Sequence, residues 1–305
     1  MGAYTEPYAG NGFWKSFTKT WHNKPYNAIS PSNPSNSASG KAIFITGGGS
    51  GIGKATALAF AQAGAASIAI FGRRVERLES AAAEIRNANP ATKVATVGVT
   101  SATAPPVDVF VSNAFSMPFQ GKLVDTQPEH FRQGLDLNLM GTFNAVQAIL
   151  PLLAPTATVV DVNSGIGHLG PIPGVPLYAM QKAANIKLFE YLQAEKGEMR
   201  VFSIQPGVIA TEISSVEESQ DDGMFLLKPS LRKWAITDSI DRVVMLPASF
   251  QVWLAAGTQA DFLKGRFLWV NWDVEELQAR KGEIEGSLLL KVQLTGVPME
   301  TTFAL

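Results

Sequence analysis

From residue 41 onward, short apolar runs alternate with stretches whose apolar positions recur at helical spacing. The run at 42–45 leads into a glycine-dense loop and a helix pattern through residue 63; the run ASIAIF at 66–71 and a second helix pattern at 75–87 follow. Five more apolar runs begin at KVATVGV (93–99), VDVFVSNA (107–114), ATVVDVNS (157–164), RVFSIQPG (200–207) and RFLWVNW (266–272). Strands in a sheet with one wet face alternate apolar and polar residues, whereas these runs are nearly continuous, as strands buried on both faces are. Apolar runs interleaved with helices predict βαβ units, and about seven of them predict an α/β fold: a doubly wound parallel sheet in a single domain.

The first 40 residues are a different material. ISPSNPSNSASG at 29–40 has the composition of a linker, and NGFWKSFTKTWHNKPY at 11–26 interleaves aromatics with lysines. The expected organisation is an N-terminal arm over 1–40 and the main domain over 41–305. The arm either packs Phe13, Trp14 and Trp21 on the domain or serves as an interaction or membrane-surface segment.

Composition narrows the function classes. A 305-residue chain with 46% hydrophobic and 17% charged residues buries a large core. Its net charge of -1 gives no general attraction to nucleic acid or anionic lipid. With no cysteine there is no disulfide, thiolate nucleophile or cysteine-held metal, and His22, His130 and His168 lack ligand spacing, so no metal site is expected. No apolar run reaches about 18 residues, so a soluble, cytoplasmic protein without membrane partners is expected.

TGGGSGIGK at 46–54 sits between an apolar run and a helix, where small residues permit close backbone approach and the helix start offers free N–H groups to a phosphate. Gly47, Gly49, Ser50, Gly51, Ile52 and Gly53 are therefore candidate cofactor contacts, although a ligand-free turn would look alike in isolation. The next apolar run ends in Arg73 and Arg74 rather than in the carboxylate that binds the ribose 2′-hydroxyl of NAD. Two guanidiniums there suit a 2′-phosphate, so NADP(H) is the predicted cofactor.

Three later stretches carry reactive groups. DVNSG puts Ser164 just past an apolar run, YAMQK puts Tyr178 and Lys182 one helical turn apart, and LDLNLMG puts Asn138 in a helix pattern. At i and i+4 the Lys182 ammonium can approach the Tyr178 phenol and favour its ionised form. With the glycine loop upstream, this order resembles the short-chain dehydrogenase/reductase family, a Rossmann-like fold, and the overall style resembles fungal members of specialised metabolism. The resemblance implies that Tyr178 exchanges the proton, Lys182 supports it and holds the nicotinamide ribose, Ser164 bonds the substrate oxygen and Asn138 anchors a relay water. It also implies cofactor contacts at Asn113, Ala114, Pro206, Gly207, Val208 and Thr211, a substrate loop near 213–237, and a homodimer or homotetramer.

The chain departs from that family at three points. Phe115 replaces a glycine after Asn113-Ala114, Gly98 replaces an aspartate used toward adenine, and only SATAPPV at 101–107 is left for a crossover that normally contains a helix. The aromatic arm is a candidate cover for the exposed sheet face. The leading expectation is an NADP-dependent oxidoreductase acting on a carbonyl or alcohol of a small organic, polyketide-like molecule. A non-redox isomerase or cyclase and a catalytically silent NADP-binding protein remain as rivals, because the fold hosts many functions.

Overall fold

The structure, a computed structural model, describes residues 16–96, 106–207 and 244–294. Seven parallel strands form one sheet in the order β3-β2-β1-β4-β5-β6-β7. They are β1 (Ala42–Thr46), β2 (Ser67–Phe71), β3 (Lys93–Ala95), β4 (Val107–Ser112), β5 (Leu153–Val162), β6 (Arg200–Gln205) and β7 (Arg266–Trp269). Every apolar run of the sequence contributes a strand. The order reverses at β1, between β2 and β4, which opens a crevice at the carboxyl ends of the strands.

The period-2 pleat sends neighbouring side chains to opposite faces. Ile43, Ile45, Ile68 and Ile70 point toward α1 (Gly51–Gln62) and α2 (Val75–Ala88), together with Phe250 and Trp253 of the helix Met245–Ala255. Phe110, Val159 and Val201 meet a second core containing Val146 of the helix Gly141–Ile149 and Phe189 and Leu192 of the helix Pro176–Glu195. In chain order α3 is Pro128–Gly134, α4 is Gly141–Ile149, α5 is Pro176–Glu195, α6 is Met245–Ala255 and α7 is Val274–Ala279. Among the described residues no helix is long and apolar enough to cross a membrane, and no cluster of three or more His, Cys, Asp or Glu side chains is placed to hold a metal ion.

Residues 16–40 belong to the packed domain. Trp21 forms an antiparallel bridge with Trp272, and Asn271 exchanges hydrogen bonds with the His22 backbone at 2.7 and 2.8 Å. Phe17 is buried under the Arg280 guanidinium, 3.7 Å from its ring centre, and Ile29 is fully buried against α6 and α7. The arm ends with the Ala38 amide donating to Ala63 O, at the end of α1.

Residues 16–40 do not lie where the suggestion that the arm covers the face left by the short 101–107 crossover would put them. A right-handed connection that reverses direction from β3 to β4 belongs on the face of α4 and α5. The described arm lies instead against α1, α6, α7 and the β7 edge. Phe13, Trp14, Gly98 and residues 97–105 fall outside the described residues, as does the 213–237 segment.

Candidate active site and cofactor groove

The groove begins where β1 ends. Gly47 turns the chain at φ +69, which an L side chain resists, and a Cβ on Gly53 would run into the Gly47 carbonyl oxygen. These two glycines let α1 start directly against the strand end. The Ser50 N-cap contributes no side-chain hydrogen bond to the first turn, so those N–H groups stay available to an anion.

A groove of about 640 Å³ runs from this loop along the ends of β2 and β4. Gly47, Gly49, Ser50, Gly51, Ile52, Arg73, Arg74, Asn113 and Ala114, all expected as contacts, line it. Arg77, one helical turn beyond Arg73 and Arg74, joins them; the sequence signal for it was a third arginine on the same helix start. The Arg74 guanidinium also donates to Ser50 Oγ at 3.2 Å, tying the β2 end to the loop. Gly53 serves packing rather than the groove wall. Asn113 differs in detail from expectation, because its Nδ2 is engaged by Thr46 O and Gly47 O at 3.0 and 3.3 Å. Thr46 Oγ1 in turn accepts from the Asn113 and Ala114 amides, so Thr46, unremarked in the sequence, clamps β4 to the loop.

Ser164, Tyr178 and Lys182 come together beyond the end of β5, but they are not walls of the groove. Ser164 caps a 3-10 turn, Gly165–Gly167, where its hydroxyl accepts from the Ile166 amide at 3.3 Å and opposes the effect of burial on the Tyr178 phenol. The turn is braced by the Gly165 amide donating to Gln205 Oε1 at 2.7 Å, while Trp269 packs so closely on Gly165 that a Cβ there would stand 2.8 Å from the indole. His168 follows on the same turn and accepts a hydrogen bond from Trp269 Nε1 at 3.2 Å. Pro206 and Gly207 stand at the end of β6 without entering the groove wall; Val208 and Thr211 fall outside the described residues.

Lys182 departs from the simple i, i+4 picture. Its Nζ lies 6.0 Å from the Tyr178 ring centre, donates to Val162 O at 2.9 Å, and stands 3.9 Å from the centre of the Phe115 ring. Phe115 meets Tyr178 edge-on, with ring centres 5.4 Å apart. Burial pushes the phenol above its usual 10, with only Ser164 pulling it down, so Tyr178 holds its proton at neutral pH. Burial also pushes Lys182 down to about 8, opposed by the charge of Asp161.

Asp161 is a buried carboxylate that the sequence reading passed over, since it sits inside an apolar run. Burial raises its pKa, against the attraction of Lys182 and hydrogen bonds from Asn163 Nδ2 at 2.6 Å and Ser203 Oγ at 3.1 Å. Asn163 also donates to the Lys182 carbonyl and accepts from the Ser164 amide, linking both reactive segments.

Asn138 lies in a π-helical turn, Leu135–Met140, between α3 and α4. Its carboxamide bonds both backbone groups of Ser116 at 2.8 Å, and its Nδ2 donates to Gln181 Oε1 at 2.6 Å. A single buried side chain therefore joins the segment after β4 to α5. Gln181, next to Lys182 in sequence, fits only because Gly134 leaves its amide room.

Comparison with known proteins agrees with this geometry. The short chain dehydrogenase family model matches residues 41–222. A short chain dehydrogenase/reductase of Claviceps purpurea is 33% identical over 279 residues, covering 87% of this chain and 89% of its own. A short chain dehydrogenase/reductase of Aspergillus aculeatus is 32% identical over 282 residues, covering 88% and 92%. Among solved structures, a short chain dehydrogenase/reductase family protein superposes with a TM-score of 0.58 at 28% identity, over 76% of this chain and 96% of that one. Levodione reductase shares the fold at a TM-score of 0.64 and 23% identity, over 79% and 98%. A doubly wound sheet, a glycine loop at its switch point and a serine, tyrosine and lysine gathered beyond β5 thus have one common explanation: the chain belongs to the short-chain dehydrogenase/reductase family of oxidoreductases.

Proposed function

We propose that the protein is an NADP(H)-dependent carbonyl reductase or alcohol dehydrogenase for a small organic substrate, of the bulky, polyketide-like kind that its likeness to fungal specialised-metabolism members suggests. The observation that carries this reading is the gathering of Ser164, Tyr178 and Lys182 beyond β5, next to a phosphate-ready groove bordered by three arginines.

The donor set of the groove fits the adenosine half of NADP(H). The first-turn amides of α1 suit the pyrophosphate, and Arg73, Arg74 and Arg77 suit a 2′-phosphate, whose charge-assisted bonds a hydroxyl cannot equal. When bound, the nicotinamide supplies or accepts the hydride. Ser164 Oγ orients the substrate oxygen, and Tyr178, whose burial favours the protonated phenol, delivers a proton to that oxygen during reduction. Lys182 holds the nicotinamide ribose, and Asn138 positions α5 and anchors a relay water. Exposed Met140 and Phe143 of the α4 region and Met180 and Tyr191 on α5 support self-association through these helices.

Absorbance at 340 nm across a panel of ketones and alcohols tests the activity. Tyr178→Phe keeps the ring and removes the transferable proton, so turnover is expected to fall about 10²-fold or more while NADPH binding survives. Full activity of that variant would refute the assignment. Tight NADPH binding with no turnover of any substrate would favour the second reading, a silent NADP-binding protein, which the position of Phe115 between groove and tyrosine keeps open.

A further inference from the structure

Phe115 is one wall of the groove. The other walls include the glycine loop, the arginines, Asn113 and Ala114, but none of Ser164, Tyr178 and Lys182. The same ring stands over the Lys182 ammonium at 3.9 Å and edge-on to Tyr178. The aromatic ring is therefore a partition between the phosphate-ready half of the site and the proton-transfer groups.

Two features say why the ring rests there. An ammonium has three N–H donors, and of those on Lys182 one goes to Val162 O. The ring face supplies electrostatic attraction on a further side, within the roughly 6 Å over which cations and aromatic faces attract. The backbone next to it is fixed, because Asn138 bonds both the N–H and the C=O of Ser116. Phe115 thus leaves by rotation of its own side chain, with the loop staying in place.

We propose that Phe115 is a gate on the nicotinamide half of the cofactor site: its ring closes the passage from the adenosine groove to Lys182 and Tyr178, and turns aside when a dinucleotide enters. The gate rests on the reading of the groove as an NADP(H) site. Ligands that fill only the adenosine end leave the ring in place. A full dinucleotide must displace the ring, so its apparent affinity is reduced by the fraction of molecules with the gate open.

The test is calorimetric, on the full chain, with NADP+ and with adenosine 2′,5′-bisphosphate, which lacks the second ribose and the nicotinamide. Removing the ring in Phe115→Ala is expected to tighten NADP+ binding by about 3- to 30-fold, the range of a cation–aromatic contact in a desolvated site. The bisphosphate is expected to bind both proteins equally, within about twofold. Phe115→Leu, which keeps bulk but loses the aromatic face, is expected to fall between wild type and Phe115→Ala. Unchanged or weaker NADP+ binding by Phe115→Ala, or equal tightening of both ligands, overturns the gate while leaving the NADP(H) reading intact. Failure of wild type and both variants to bind either ligand overturns that reading and the gate with it.

Discussion

Replacing Ile29 by alanine probes whether the N-terminal arm is part of the fold. Ile29 ends a 3-10 turn, Asn27–Ile29, has no exposed surface, and packs against α6 and α7. Truncating a fully buried isoleucine removes its transfer free energy and leaves a cavity, together about 2 to 5 kcal/mol. The site has little room to collapse, because Asn36 Nδ2 bonds Ala28 O and Ser30 O at 2.8 and 3.0 Å and holds the turn in shape. In a chain of this size one kcal/mol lowers the melting temperature by about 2 °C, so Ile29→Ala is expected to melt about 4 to 10 °C lower. Differential scanning calorimetry, with urea denaturation where heating is irreversible, reads the loss. A chain beginning at Ser39 is expected to aggregate, since it uncovers Trp269 and Trp272, which Trp21 and Phe17 contact with ring centres 6.0 and 5.5 Å apart. A shift under about 1 °C for Ile29→Ala, with a monodisperse and equally stable truncated chain, would show that the arm lies off the domain and refute the packing argument.

Three further outcomes follow from the site. Arg77→Ala is expected to weaken NADPH binding by about tenfold or more, one charge-assisted hydrogen bond, while leaving NADH binding nearly unchanged; equal losses for both would remove Arg77 from the 2′-phosphate site. Lys182 is pushed from an ordinary 10.5 down to about 8, so its contribution to stability is fullest above pH 10.5 and is lost as the pH falls toward 8. Lys182→Met is therefore expected to gain stability relative to wild type by about 2 kcal/mol more at pH 7 than at pH 9.5, read from urea midpoints, and a pH-independent difference would show an unperturbed ammonium. Asn138→Ala leaves the Ser116 backbone groups without their side-chain partner and is expected to cost about 1 to 3 kcal/mol in urea denaturation; an unchanged midpoint would show that the link between the segment after β4 and α5 is dispensable.

The strands, the helices beside them and the glycine loop were legible in the chain itself because each depends on local pattern. Continuous apolar runs have to be buried on both faces, helical spacing makes one apolar stripe, and Gly47 and Gly53 stand where a side chain would collide. The proximity of the candidate residues Ser164, Tyr178 and Lys182 was legible through order and spacing, and the place of Arg73 and Arg74 on the groove through their position after the second strand. The partners those groups choose depend on approach in space. The i, i+4 spacing allowed Lys182 to reach the phenol, yet only the fold places Phe115, 67 positions earlier, over the ammonium. Asp161 is hidden inside an apolar run until Ser203 of the next strand and Asn163 turn their donors to it. The stretch 29–40 reads as linker by composition, and contact of residues 16–40 with Trp272 and α6 makes that part of the arm core. Local sequence determines which backbone geometry each segment adopts; burial, desolvation and the pairing of polar groups belong to neighbours far apart in the chain.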